Sequence, residues 1–182
     1  MYRYFLVLAC AGFLQAQDGA IFYDSQIPQV VFAASEVPRV RHFGLEDAGR
    51  VNCSPCLAIT VGTAQAARLS AALGVTLAAP QGDQAFAIRR TTAKGSPWTI
   101  ALGADSSGAL YGGLDLAEAA RLGTLAEVKE GERRPHIAQR GIKFNLPLDV
   151  RTPTYSDNSD AAQQNIPVMW TFDFWREFID DL

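Results

Sequence analysis

One pattern constrains this chain more than any other: a strand, a glycine, a capped helix and a stopping glycine, read twice. Residues 57–61 (LAITV) form an apolar β-type run that ends at Gly62. Thr63 then caps a helix through Leu73, with Ala66, Leu69 and Leu73 on one face and Gly74 as its stop. The second copy runs from a strand at 98–102 through Gly103 into a Ser-capped helix from about Gly108 to Leu122. Leu110, Leu114 and Ala117 align there, and Gly123 ends it. Two copies fall short of the three units a solenoid needs. They specify an α/β (α+β) layer instead, a mixed or antiparallel sheet with two helices on one face.

The rest of residues 29–134 fits such a layer. Residues 29–34 (QVVFAA) read as a strand, followed by a polar stretch to about Ser54. Residues 85–89 are another strand, and the Gly95 and Pro97 between them and 98–102 suit an antiparallel hairpin. The charged segment 127–134 suits either a final strand or a linker. The glycines of Gly103-Ala-Asp-Ser-Ser-Gly108 have the spacing of a phosphate loop. No Lys follows, so phosphates would meet no cation, and the glycines instead allow the helix start to lie close to the sheet.

Residues 1–16 (MYRYFLVLACAGFLQA) stand apart from this layer. Arg3, an apolar run and small Ala16 before Gln17 make a secretory signal peptide, too short to span a bilayer. The implied location is secreted or periplasmic. The whole chain carries 16 basic and 19 acidic residues, a net −3, and removal of Arg3 leaves −4. With no basic run and no RNA-type aromatic motif, a nucleic-acid partner is not expected, nor is a membrane span. The exported chain keeps two cysteines, in Cys53-Ser-Pro-Cys56. The pair precedes a strand rather than a helix, which argues against a thioredoxin-type centre, and a zinc site would need two more ligands. A local disulfide or two free thiols at a turn remain. No metal and no cofactor are expected.

After Pro135 the character changes. Residues 141–146 (GIKFNL) form a short strand pattern, and 147–168 is a polar loop longer than structureless connections usually run. The tail MWTFDFWREFIDDL follows, with Phe174, Trp175, Phe178, Ile179 and Leu182 on one helical face and Thr171 or Asp173 as its cap. Five of the chain's 18 aromatic residues lie in 170–182, too much apolar surface to face water. Strand, long loop and amphipathic helix make the first βα unit of an incomplete TIM barrel, spanning 135–182. The helix lacks a stop signal, so the remaining barrel units are expected beyond it. Catalytic residues are expected to be none within this chain. His42 and His136 are isolated, and Asp149, Asp157 and Asp160 share one loop rather than facing each other across a sugar.

The segments ALGADSSGALYGGLDLAE (101–118) and RRPHIAQRGIKFN (133–145) together resemble family 20 β-N-acetylhexosaminidases in their non-catalytic second domain, and the related N-terminal domain of α-glucuronidases. In those families a strand, a small-residue turn and a G-x-x-Y-G helix precede a Pro-containing linker. An Arg-Gly dipeptide then opens the first strand of a catalytic TIM barrel. The resemblance covers roughly residues 29–182. It implies a secreted glycoside hydrolase, with a carbohydrate substrate and the rest of the barrel as partners. It also implies that Arg140 binds hydroxyls of the sugar nearest the cleaved bond, work suited to a rigid guanidinium fork. The alternative for Arg140 is a structural contact at the bottom of the barrel. The hexosaminidase pattern has Asp five residues after this Arg, where Asn145 stands here, and the polar 147–168 segment leans toward uronic-acid-cleaving relatives. Against the hydrolase stands a second reading, a non-enzymatic carbohydrate- or protein-binding module that docks through the aromatic helix.

Overall fold

The computed structural model describes residues 19–137, 141 and 171–180. The chain divides into two units after residue 138, each described by itself. The first is built on one mixed sheet of six strands: β1 (Gly19–Tyr23), β2 (Val40–Gly44), β3 (Cys56–Val61), β4 (Phe86–Ala93), β5 (Ser96–Gly103) and β6 (Gly131–Arg133). Their order is β2-β1-β3-β5-β4-β6. The first four in that order run parallel, while β4 is antiparallel to both β5 and β6. Ala20, Ile21, Phe22, Leu57, Ala58 and Ile59 in the central strands are completely buried, as a sheet covered on both faces requires of its middle. The β4–β5 hairpin turns on Lys94 and Gly95, with φ of 52° and 79°. Two left-handed residues in succession match the twist of the flanking strands.

Both faces of this sheet are covered, which corrects the expectation of two helices on one face. Helix α1 (Pro28–Ser35) and helix α3 (Ser106–Leu122) pack Val30, Ala33, Ala34, Leu116 and Ala117 against Ile21, Leu57, Ile59 and Ile88. Helix α2 (Gly62–Leu73) lies on the other side, where Ala66, Leu69 and Leu73 meet Phe22, Ala58, Ile100 and Leu102. The reason is topological. From the β1/β3 pair the chain leaves toward β2 in one direction and toward β5 in the other. Crossovers of the same hand that run in opposite directions put their helices on opposite faces. On the α2 face Phe22 also stacks on Phe43 at 5.5 Å and tilts against Trp98 at 5.1 Å, while the Arg41 guanidinium sits 5.4 Å from the Phe43 ring centre.

Local readings need further corrections. Residues 29–34 are helical, not extended. Pro28 sits at the start of α1, where its fixed φ and missing N–H cost nothing, and Val30, Ala33 and Ala34 bury one face at helical spacing. The first strand comes earlier, at Gly19, and the polar stretch before Ser54 contains β2. Helix α2 begins at Gly62 without a Thr63 cap. Instead the Gln65 side-chain carbonyl accepts from the Val61 N–H at 2.8 Å. Helix α3 is capped by Asp105 rather than by serine. Gly74 and Gly123 end α2 and α3 in the left-handed conformation, with φ of 70° and 71°, as the stop signals predicted. Segment 127–134 contains the short edge strand β6.

In the second unit only Gly141 and residues 171–180 are described, so the strand at 141–146 and the loop at 147–168 lie outside the described residues. Helix α4 (Phe172–Asp180) forms where the apolar spacing predicts it. The Thr171 hydroxyl accepts from the Phe174 N–H at 3.3 Å, making Thr171 the cap. Phe174, Trp175 and Phe178 gather into one cluster with ring centres 5.3–6.1 Å apart, and Phe172 remains 78% exposed. Nothing described here shows a TIM-barrel unit.

The G-x-x-Y-G glycines of α3 meet the sheet at close range. A β-carbon on Gly112 would lie 3.0 Å from the Phe86 ring and 3.1 Å from Ala101 Cβ, and one on Gly108 would run into the Ala85 carbonyl group. Alanine in place of a helix glycine ordinarily adds about 1 kcal/mol of stability. Gly108→Ala is expected to reverse that sign and cost roughly 1–3 kcal/mol through overpacking. Gly131→Ala, which meets nothing within 4 Å, serves as control. Urea unfolding measures both. A Gly108→Ala protein as stable as wild type would contradict the close-approach explanation.

Candidate functional site

The residues singled out in the sequence are not brought together. Arg140, the expected sugar-binding residue, lies outside the described residues, as do Asn145, Asp149, Asp157, Asp160 and the expected signal peptide at 1–16. Cys53 and Cys56 form a disulfide with their Cα atoms 5.2 Å apart, and both are completely buried. That decides between the two readings of the pair in favour of the local disulfide. His42 stands on β2 with its ring edge-on to Tyr23 at 5.8 Å, and His136 is exposed in a separate segment. Among the described residues no group of three or more His, Cys, Asp or Glu side chains is placed to hold a metal ion. None of their helices is long and apolar enough to cross a membrane.

The Gly103–Gly108 loop is closed to phosphate by its own carboxylate. Asp105 Oδ1 accepts from the Gly108 N–H at 2.8 Å, and Oδ2 accepts from the Gln84 N–H at 2.7 Å. A negative group already occupies the positive end of α3, so a second anion there would be repelled.

The topology points elsewhere. In open α/β sheets ligands bind beyond the carboxyl ends of the strands, where the strand order reverses direction. Here that point lies between β1 and β3, and an open crevice of about 300 Å³ sits beside it. Its walls come from the turn after β1 (Tyr23, Asp24), the end of β2 and its following turn (Gly44, Glu46), and the first turns of α2 (Gln65, Arg68). Asp24 accepts from the Gln26 N–H at 2.9 Å and from the Gln65 side-chain amide at 2.8 Å. Gln65 in turn holds the Val61 N–H, so the chain Asp24–Gln65–Val61 ties β1 to the start of α2. Glu46 and Arg68 both reach solvent. The arrangement sets two carboxylates, an amide and a guanidinium around one polar opening, a set that can both donate and accept hydrogen bonds.

A larger groove, of about 600 Å³, runs along β4 and β5, and two of its four charged side chains, Arg90 and Glu130, are already engaged. Arg90 donates to the Ala126 carbonyl at 2.7 Å, and its backbone N–H meets the Glu130 carboxylate. A third opening, near the end of α3, contains Asp115, Glu118 and Arg133. Asp115 is the described carboxyl whose proton affinity departs from the ordinary range. Burial pushes its pKa up, the Arg133 guanidinium paired with it pulls the other way, and the neighbouring Glu118 adds to the rise. Burial outweighs the Arg133 pairing in the net shift.

No sequence motif announced the crevice. Asp24, Glu46, Gln65 and Arg68 come from three separate segments, and the one local cue is Asp24 closing the apolar run GAIFY ahead of Pro28.

The Asp115 shift has a definite sign. The folded carboxyl binds its proton more tightly than its ordinary 3.8, so folding is favoured with the proton on, and that contribution is lost as pH rises through the folded pKa. Stability followed by urea unfolding just above pH 3.8 is expected to fall less steeply with rising pH in Asp115→Asn than in wild type. Identical slopes would contradict the assignment.

Comparison of the chain with protein-family models, with curated proteins and with solved structures finds no match.

Proposed function

We propose that this chain is the N-terminal, non-catalytic part of a secreted glycoside hydrolase acting on uronic-acid-containing or amino-sugar glycans. One observation carries the reading. The family-like segment at 101–118 folds as a strand, a small-residue turn and a G-x-x-Y-G helix, and a β-carbon on Gly108 or Gly112 would crowd Ala85, ahead of β4, or Phe86 and Ala101 of the sheet. That order of elements is the one the resembled families have, and it supports the reading. A buried Cys53–Cys56 disulfide lends further support, since it suits an oxidising, extracytoplasmic setting.

On this reading Arg140 opens the first barrel strand and donates to sugar hydroxyls, Asn145 in place of Asp speaks against an N-acetylhexosamine substrate, and the polar 147–168 segment leans toward uronic acids. The half-exposed cluster of Phe174, Trp175 and Phe178 on α4 favours a second reading, a binding module that docks through this helix.

The chain, purified and assayed against aryl glycosides and aryl uronides, is expected to give no turnover. Hydrolysis that survives removal of contaminating enzymes would overturn the non-catalytic assignment. In a barrel-containing parent enzyme, Arg140→Ala is expected to lower kcat/KM by about tenfold or more, the worth of one lost charged hydrogen bond, at unchanged melting temperature. Lost stability with unchanged kcat/KM would assign Arg140 to structure instead.

A further inference from the structure

We propose that the crevice at the carboxyl ends of β1 and β2, walled by the first turns of α2, is a binding site for a neutral, monosaccharide-sized polyhydroxylated ligand. The inference stands on the geometry of this sheet and does not need the hydrolase reading.

Position comes first. The opening lies where the strand order reverses, the place at which open α/β sheets collect their ligands, and its volume of about 300 Å³ is at the small end of ligand pockets. The lining chemistry then selects the ligand class. Two carboxylates, Asp24 and Glu46, against one guanidinium, Arg68, leave the walls with a formal charge of −1. That disfavours phosphates and other anions. The polar lining disfavours a lipid, and its one aromatic ring, Tyr23, packs on the core and against His42, so the lining holds no pair of rings to sandwich a nucleobase. Hydroxyl groups remain, because each one donates and accepts. Asp24 and Glu46 accept, Arg68 donates, and the Gln65 amide is held in a fixed orientation by its two bonds. Among the described residues Arg68 has no ion-pair partner, so its guanidinium is available.

The test uses the full chain, amide NMR and three probes: methyl α-D-glucopyranoside, inorganic phosphate and ethylamine. The sugar is expected to shift the amides of residues 24–26, 44–46 and 62–68, with little change elsewhere. Arg68→Ala and Glu46→Gln, both at solvent-exposed positions, are each expected to weaken that binding by about tenfold, the worth of one charged hydrogen bond, while melting temperature stays the same. No shift at millimolar sugar would overturn the proposal, as would sugar binding that both variants retain in full. Tighter binding of phosphate or of ethylamine than of the sugar would overturn the ligand class. Loss of glycosidase activity in a parent enzyme bears on the hydrolase reading alone, so the two fail separately.

Discussion

The structure depends on how closely α3 lies on the sheet. Gly113 is the tightest point of a three-way contact, since a β-carbon there would stand 2.7 Å from Ala33 Cβ of α1 and 2.8 Å from Ile59 Cδ1 of β3. Three elements thus converge on a position that holds no side chain. Asp105 fixes the entrance to the same helix by satisfying the Gly108 and Gln84 N–H groups together, so it ties the start of α3 to the segment leading into β4. An ion pair between Arg121 and Glu36 joins the far end of α3 to the end of α1. That last contact is half exposed and contributes little beside the burial of Ala33, Leu116 and Ala117.

With the strand order reversing at β1/β3, α1 and α3 are set on one face and α2 on the other. The same reversal opens the crevice. Helix α1 leaves over one face after Tyr23 and α2 over the other after Val61, so the carboxyl ends of β1 and β3 have a helix leading away on each side and none directly above. The bond from Gln65 to Asp24 spans that gap and keeps the side-chain amide in place. Stability and candidate function therefore share one cause, the direction in which each helix crosses the sheet.

Much of this was readable in sequence, for reasons that are local. The Gly74 and Gly123 stops, the Gly95 hairpin and the apolar faces of α2 and α4 all arise from nearest-neighbour chemistry, whereas α3 buries Ala109, Gly112, Gly113, Leu116 and Ala117 and not the Leu110, Leu114 and Ala117 face that the spacing suggested. Residues 29–34 misled because VVF is β-branched and aromatic, while the helical evidence was one proline and a three-residue buried face. Strand β1 was hidden because five residues directly behind an apolar leader give too short a pattern to separate from it. The placement of α2 and α3 on opposite faces was beyond reach. It depends on strand order, set by pairings such as Ala20 with Cys56 and Leu57 with Thr99 that span tens of residues. The crevice was beyond reach for the same reason, since its residues meet only once that order exists.

The most direct test of this account is native-state hydrogen exchange on the wild-type chain and on Gly113→Ala. If Gly113 is the point where α1, α3 and β3 are held together, the added methyl group will lower protection at Ala33, Leu116, Leu57 and Ile59 by a common amount, because they open as one cooperative unit. Protection lost only within α3, with β3 and α1 unchanged, would contradict the claim that this contact organises the fold.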